Sequence, residues 1–235
     1  NDGSLLVATA AGLNRYQQID DQWLTIPRNF LSLGTHNVRD LHIAPEGIWT
    51  ATDRGVELFQ DGEWTLFTTT EGIPDNDVRA VTRTADGRVW AATADGLGMY
   101  DGGVWQTFDS SHGLLTNNIQ TVHLAGEAQA VWLGYGSGRA GITRFSVSNG
   151  TPAAETILDV DGRLLIDTPA ILTNNEAVWV GTAAGLFQRP AADQTWRSLP
   201  QPSDLPTNQL ADLTLIDGRL WGRTAMATGS PMRSR

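Results

Sequence analysis

An all-β array of repeated four-stranded units is predicted by three features of this 235-residue sequence. Tryptophan is periodic: Trp49, Trp90, Trp132, Trp179 and Trp221 follow one another at intervals of 41, 42, 47 and 42 residues, and Trp23, Trp64 and Trp105 at intervals of 41, with Trp196 two periods further on. These nine are all the tryptophans of the chain. Short runs rich in β-branched and aromatic residues recur with the same period, and they are punctuated by Asp-Gly, Gly-Gly or Asn, which suit hairpin turns that need positive φ. No window carries a sustained helical apolar stripe. Four antiparallel strands in about 40–45 residues make one blade of a β-propeller, a unit that buries both faces only when stacked on neighbours.

The elements follow in order. The chain opens inside a unit, with LLVATAAGLNRY supplying second and third strands of a first blade over 1–30. Blades follow at 35–70, 75–112, 116–160 and 166–200, then a partial blade at 207–225 and a tail at 226–235, all within one array spanning 1–228. The clearest copy runs VRAVT, VWAAT, LGMYD and VWQTF, turning at Asp86-Gly87 and Asp101-Gly102-Gly103. The second-strand tryptophans are expected between blades, where burying each contributes about 2–3 kcal/mol. The chain also ends inside a unit, and its last second strand, containing Trp221, duplicates the position of the one at Leu5–Thr9. The array is therefore read as an excerpt of a larger, for example seven-bladed, ring; a first residue other than methionine points the same way. The alternative is a closed five-bladed ring in which the strand at Leu210–Leu215 completes the first blade.

At VWVGTAAGL (Val178–Leu186), EGIPDNDVRAV (Glu71–Val81), HGLLTNNIQTV (His112–Val122) and DLPTNQLADL (Asp204–Leu213) the chain resembles the two-component regulator propeller repeat. The fourth blade departs from the pattern: it has no tryptophan near residue 150. The resemblance implies the outward-facing sensor region of a membrane-spanning histidine kinase or related signalling protein. It implies an extracytoplasmic location, neighbouring signalling domains or repeats as partners, and a small-molecule or glycan ligand.

Composition bounds the chemistry independently. The net charge is −10, and every cation is arginine. A chain of that charge lacks the basic face that nucleic acid requires, and an anionic membrane surface is disfavoured for the same reason. No run of 18 apolar residues is present, so no direct membrane insertion is expected of this segment. Without lysine there is no Schiff base, and without cysteine no thiol nucleophile or thiolate zinc site. The four histidines show no ligand spacing, and Asp159-Val160-Asp161-Gly162 begins like a calcium loop but continues as a hairpin. No cofactor or metal is expected.

The loops joining fourth to first strands, and second to third strands, are expected to share one face of the ring. That face collects Asp53, Arg54, Asn76, Asp95, Asn117, Asn118, Tyr135, Arg139 and Asn208. Tyr135 and Arg139 are carried by the glycine-rich insertion that begins Gly134-Tyr135-Gly136-Ser137-Gly138, which explains the 47-residue tryptophan interval. The asparagines also suit a purely local role, bonding loop backbone. A mixture of Arg, Asn, Asp and Tyr fits a hydroxyl-rich ligand, so a non-catalytic ligand-binding sensor is expected, with a protein-interaction scaffold as the alternative. A lyase-type propeller enzyme would need a cluster drawn from His42, His123, Asp40 and Asp212, the first-strand candidates; streptogramin lyases have this architecture.

Overall fold

The computed structural model describes residues 4–10, 12–17, 20–26, 37–126, 129–136, 138, 140–168, 170–200 and 210–224, with the side chains of Ala211 and Thr224 outside the description. Blade 1 holds β1 (Leu5–Thr9), β2 (Gly12–Gln17) and β3 (Gln22–Thr25). Blade 2 holds β4 (Val38–Ala44), β5 (Gly47–Thr52), β6 (Gly55–Gln60) and β7 (Glu63–Phe67). Blade 3 holds β8 (Val78–Arg83), β9 (Val89–Thr93), β10 (Gly96–Asp101) and β11 (Val104–Phe108). Blade 4 holds β12 (Ile119–Leu124), β13 (Ala130–Tyr135), β14 (Ile142–Ser148) and β15 (Thr151–Ile157), followed by a small hairpin of β16 (Asp159–Val160) and β17 (Arg163–Leu164). Blade 5 holds β18 (Ala170–Thr173), β19 (Ala177–Thr182), β20 (Gly185–Pro190) and β21 (Arg197–Ser198), and blade 6 holds β22 (Leu210–Ile216) and β23 (Arg219–Thr224). Every sheet is an antiparallel meander of sequential strands, and no strand is shared between sheets.

Two local rules build each blade. At the hairpin between β16 and β17, Asp161 and Gly162 both take positive φ, 53° and 73°, as the two-residue turn requires. Between second and third strands a threonine locks the turn. Thr52 Oγ1 donates to Gly55 O at 2.8 Å and accepts the Arg54 N–H at 3.1 Å; Thr93 and Gly96 repeat the bond at 2.7 Å, Thr182 and Gly185 at 3.2 Å. The Thr-x-x-Gly spacing in the sequence is thus a turn device, which satisfies backbone groups that a loop would otherwise leave to water.

The core lies between blades. Trp49 packs with Tyr100 of the next blade at 5.5 Å between ring centroids, in a cluster that includes Val78, Val81 and Trp105. Trp90 meets Phe145 at 6.0 Å, Trp132 joins Val180 and Phe187, and Trp179 joins Leu210 and Leu213. The indole N–H of Trp49 donates to Glu46, and that of Trp90 to Thr84 Oγ1 at 3.3 Å. Among the described residues Trp132 Nε1 is buried without a partner, because Ala125 stands where blade 3 has Thr84; the two residues make the same backbone bond across the first hairpin, Thr84 N to Arg88 O and Ala125 N to Ala130 O.

The five-bladed alternative requires β22 to pair with β1. Among the described residues β22 pairs with β23 and β1 with β2, in separate sheets. Closure of that kind is therefore not the arrangement found.

Candidate functional site: the central cavity and its rim

Four of the five described first strands, those of blades 2, 3, 4 and 6, begin with the same irregularity. The register shifts between Val38 and Asp40, Val78 and Ala80, Ile119 and Thr121, and Leu210 and Asp212. A bulge of this kind inserts one residue and re-aims its side chain. Here the inserted residue is Arg39, Arg79 or Gln120. Arg39 donates to Asp77 and to Val78 O of the next blade. Arg79 repeats the reach one blade on, to Asn118, Ile119 O and Gln120. The bulge arginines are therefore struts between adjacent blades, and the Arg39 guanidinium holds the Asp77 carboxyl below the usual carboxylate range.

Inside this rim lies a cavity of about 730 Å³, faced by first strands of blades 2, 3, 4 and 6. Asp40, Asp212 and His123 face it, together with Gln120, Thr121 and Arg223. Asp40 accepts the Leu41 N–H at 2.9 Å and, with its other oxygen, the Val81 N–H of blade 3 at 3.0 Å. Burial pushes its carboxyl up despite those two bonds, and the charge of Asp212 adds to the rise. Burial pulls His123 down to about 4, so the ring is neutral at pH 7, with Nε2 bonded to Thr121 Oγ1 at 2.8 Å. His42 is not among the lining residues; burial and the nearby Arg83 lower its pKa, opposed by Glu46.

The loop-face residues expected from sequence are distributed differently. Second-to-third-strand turns and fourth-to-first-strand loops do meet: Asn37 N donates to Asp53 at 3.2 Å, and Asn117 Nδ2 to Asp95 at 2.9 Å. Asn117 also accepts the Ser110 N–H at 2.8 Å, and Asn76 accepts the equivalent Thr69 N–H at 2.8 Å. Both are thus clasps within their own loops, and Asn118 is engaged by Arg79. Arg54 is exposed on the face. Arg139 and Asn208 lie outside the described residues.

Tyr135 requires a correction. It is fully buried; its hydroxyl donates to Thr143 Oγ1 at 2.9 Å and accepts the Leu115 N–H at 3.3 Å. It ends β13 at the position where Thr93 ends β9, so it replaces the turn-locking threonine with a ring that joins the core. A buried hydroxyl already serving as donor and acceptor has little left for a ligand at the face.

Sequence reasoning missed the rim residues Arg39, Arg79 and Gln120. Their signal is the single residue between the apolar start of the first strand and Asp40, Ala80 or Thr121.

The two-component regulator propeller family matches residues 72–95, the loop and first strands of blade 3. Among curated protein sequences there is no match. Solved structures are similar in fold. The extracellular domain assigned to hybrid two-component system BT3049 of B. thetaiotaomicron superimposes with a TM-score of 0.76 at 16% identity, over 94% of this chain and 31% of that one. PorZ, a surface component of the type-IX secretion system of Porphyromonas gingivalis, gives 0.70 at 17% identity, over 94% and 38%. Virginiamycin B lyase from Staphylococcus aureus gives 0.67 at 14% identity, over 94% and 78%. The chain thus spans about a third of the length of the first two. Among the described residues no helix is long and apolar enough to cross a membrane, and no group of three or more His, Cys, Asp or Glu is arranged to hold a metal ion.

Proposed function

We propose that this chain is a ligand-sensing propeller segment of an extracytoplasmic signalling protein, and that its ligand, a small molecule or oligosaccharide rich in hydroxyls, enters the central cavity. The observation that carries the reading is the cavity itself: about 730 Å³, with Gln120, Thr121, His123 and the carboxylates converging on it. A neutral imidazole, an amide and a hydroxyl give both donors and acceptors without net charge, which is what a polyol needs. The fold likeness to an extracellular two-component domain supports both the sensor setting and the location.

The reading is non-catalytic because Asp40, the more enclosed of the two first-strand carboxylates, is occupied structurally. Both Asp40 oxygens accept backbone N–H groups, one of them from the next blade. Signal output then requires that the ligand bind one arrangement of neighbouring domains more tightly than another.

Calorimetric titration with a panel of neutral and uronate-containing oligosaccharides tests it. Binding by at least one of them, weakened about tenfold by Gln120→Ala with an unchanged melting temperature, is the expected result, corresponding to about 1.4 kcal/mol. Binding unaffected by Gln120→Ala and by Thr121→Ala, or no binding across the panel, would refute the cavity as the site.

A further inference from the structure

The interface between blades 4 and 5 departs from the two before it at two positions, one on each blade. In blades 2, 3 and 4 an aromatic third-strand residue pairs with the residue preceding the second-strand tryptophan: Phe59 with Ile48, Tyr100 with Val89, Phe145 with Val131. Tyr100 and Phe145 cover the tryptophan of the preceding blade, Trp49 at 5.5 Å and Trp90 at 6.0 Å between ring centroids. In blade 5 that place, opposite Val178, holds Arg189. Its guanidinium lies over the Trp132 ring, 5.9 Å from the centroid. The other departure is on blade 4. Trp49 and Trp90 donate their indole N–H groups to Glu46 and Thr84, whereas Ala125 offers Trp132 no acceptor.

The two exchanges meet at one pocket of about 200 Å³, lined by Ala125 of blade 4 together with Asn174, Asn175, Val178, Arg189 and Gln194 of blade 5. It shares no lining residue with the central cavity. It lies where first strands turn into second strands, at the opposite end of the blades from the turns that hold Asp53 and Asp95. Its polar groups are largely uncommitted. Arg189 Nε donates to Gln194 O at 3.0 Å, and its two terminal nitrogens have no hydrogen-bond partner among the described residues. Asn174 Oδ1 accepts the Glu176 and Ala177 N–H groups at 2.8 and 2.9 Å, leaving its amide nitrogen to donate elsewhere. Gln194 Nε2 donates to Ala191 O at 3.0 Å, leaving Oε1 to accept. Ala125 and Val178 pack against the cluster that holds Trp132, which is 1% exposed with Nε1 unpaired. Trp196 meets Trp132 edge-on at 5.8 Å, and its own buried N–H also lacks a partner among the described residues. No acidic residue is among those that line the pocket.

We propose that this pocket is a second ligand site, independent of the central cavity, for the carboxylate of a small organic acid of the uronic acid kind. The terminal nitrogens of Arg189 take the two carboxylate oxygens side by side, the geometry that a guanidinium fork matches. Trp132 behind the guanidinium holds its plane by cation–π contact. Asn174 and Asn175 supply amide donors, and Gln194 an acceptor, for hydroxyls on the same ligand. A dianionic phosphate fits less well, because one guanidinium brings a single positive charge and the lining adds no second cation. The volume lies below the roughly 300–1,000 Å³ of sites for drug-sized molecules, which suits a single small group.

The test titrates the ¹⁵N-labelled chain with glucuronate, glucose and inorganic phosphate at constant ionic strength, and follows the indole N–H signals by nuclear magnetic resonance. Trp132→Phe and Trp196→Phe assign the two signals of interest. Glucuronate is expected to move the Trp132 signal saturably, and glucose to leave it in place. Arg189→Gln is expected to weaken glucuronate binding about tenfold or more. Arg189→Lys keeps the charge and loses the fork, and gives the same reading should Arg189→Gln not fold. Ala125→Thr, which narrows the pocket and supplies an acceptor for the indole, is expected to weaken binding while the melting temperature holds or rises. Gln120→Ala leaves this binding unchanged, which separates the result from that for the central cavity. A Trp132 signal that no probe moves overturns the proposal, as does an equal response to glucose or a stronger one to phosphate. Affinity preserved in both Arg189 variants does the same. Glu127, in the turn between β12 and β13, lies outside the described residues; binding seen only in Glu127→Gln would make the pocket a seat for the chain's own carboxylate and also overturn it.

Discussion

If inter-blade packing is the main source of stability, two tryptophans at equivalent positions must differ sharply when truncated in this chain. Trp90 is 0% exposed, shares a cluster with Leu97, Val122 and Phe145, and donates its indole N–H to Thr84. Removing it leaves a cavity, and Trp→Ala at such a site costs about 3–5 kcal/mol. The orphaned Thr84 hydroxyl adds little, since it still bonds Asp86 at 2.6 Å. Trp221 is 56% exposed and packs on one side only, so Trp221→Ala is expected to cost less than about 1 kcal/mol. For a chain of this size about 4 kcal/mol lowers the melting temperature by roughly 8–16 °C. Repeat arrays can unfold in stages, so the comparison is made on the first transition seen by calorimetry and by urea titration with circular dichroism. Equal losses for Trp90→Ala and Trp221→Ala would refute the reasoning, because the chief difference between the two substitutions is whether a neighbouring blade covers the ring.

Other perturbations follow from single contacts. Gly134→Ala places a Cβ against Thr168 O and 2.6 Å from Thr121 Cγ2, a clash between blades 4 and 5 expected to cost about 1–3 kcal/mol by urea unfolding. Ala125→Thr restores the acceptor that Trp90 enjoys, and is expected to raise stability by about 1 kcal/mol; a loss would mean that the hydroxyl does not reach Trp132 Nε1. His123 has a folded pKa of about 4, below its unfolded value, so the stability due to its neutral form is complete above about pH 6.5 and is lost as pH falls toward 4. A pH-stability profile is expected to lose up to about 3 kcal/mol over that window, and the loss is expected to shrink in His123→Asn. Nuclear magnetic resonance titration of the imidazole checks the pKa directly.

Much of the fold was legible because the features that specify it are local and repeated. The tryptophan period locates the inter-blade clusters, and Asp-Gly and Thr-x-x-Gly mark hairpins whose geometry those residues impose. What sequence could not convey was the direction of individual side chains. Tyr135 sits beside glycines in the longest turn of its type and reads as an exposed loop residue; only its alignment with Thr93 assigns it to the end of a strand and so to the core. The asparagines carry their meaning locally, and the double role of a loop clasp or a ligand group cannot be separated without the Thr69 and Ser110 amides in view. Arg39 and Arg79 escaped notice for another reason. A bulge adds a residue without changing composition, and the alternation that predicts facing fails at that point.

The threonine lock has a consequence for how such a protein can change over time. Because Thr52, Thr93 and Thr182 each fasten a turn to its own strand pair, a single turn can be lengthened or rewritten while the tryptophan clusters between blades stay in place. Blade 4 has already made the exchange: its lock is gone, Tyr135 anchors the strand end from inside, and β13 still pairs with β12 and β14. Novelty in recognition can therefore accumulate one turn at a time, and that same turn is where a reporter or a foreign peptide is most safely inserted.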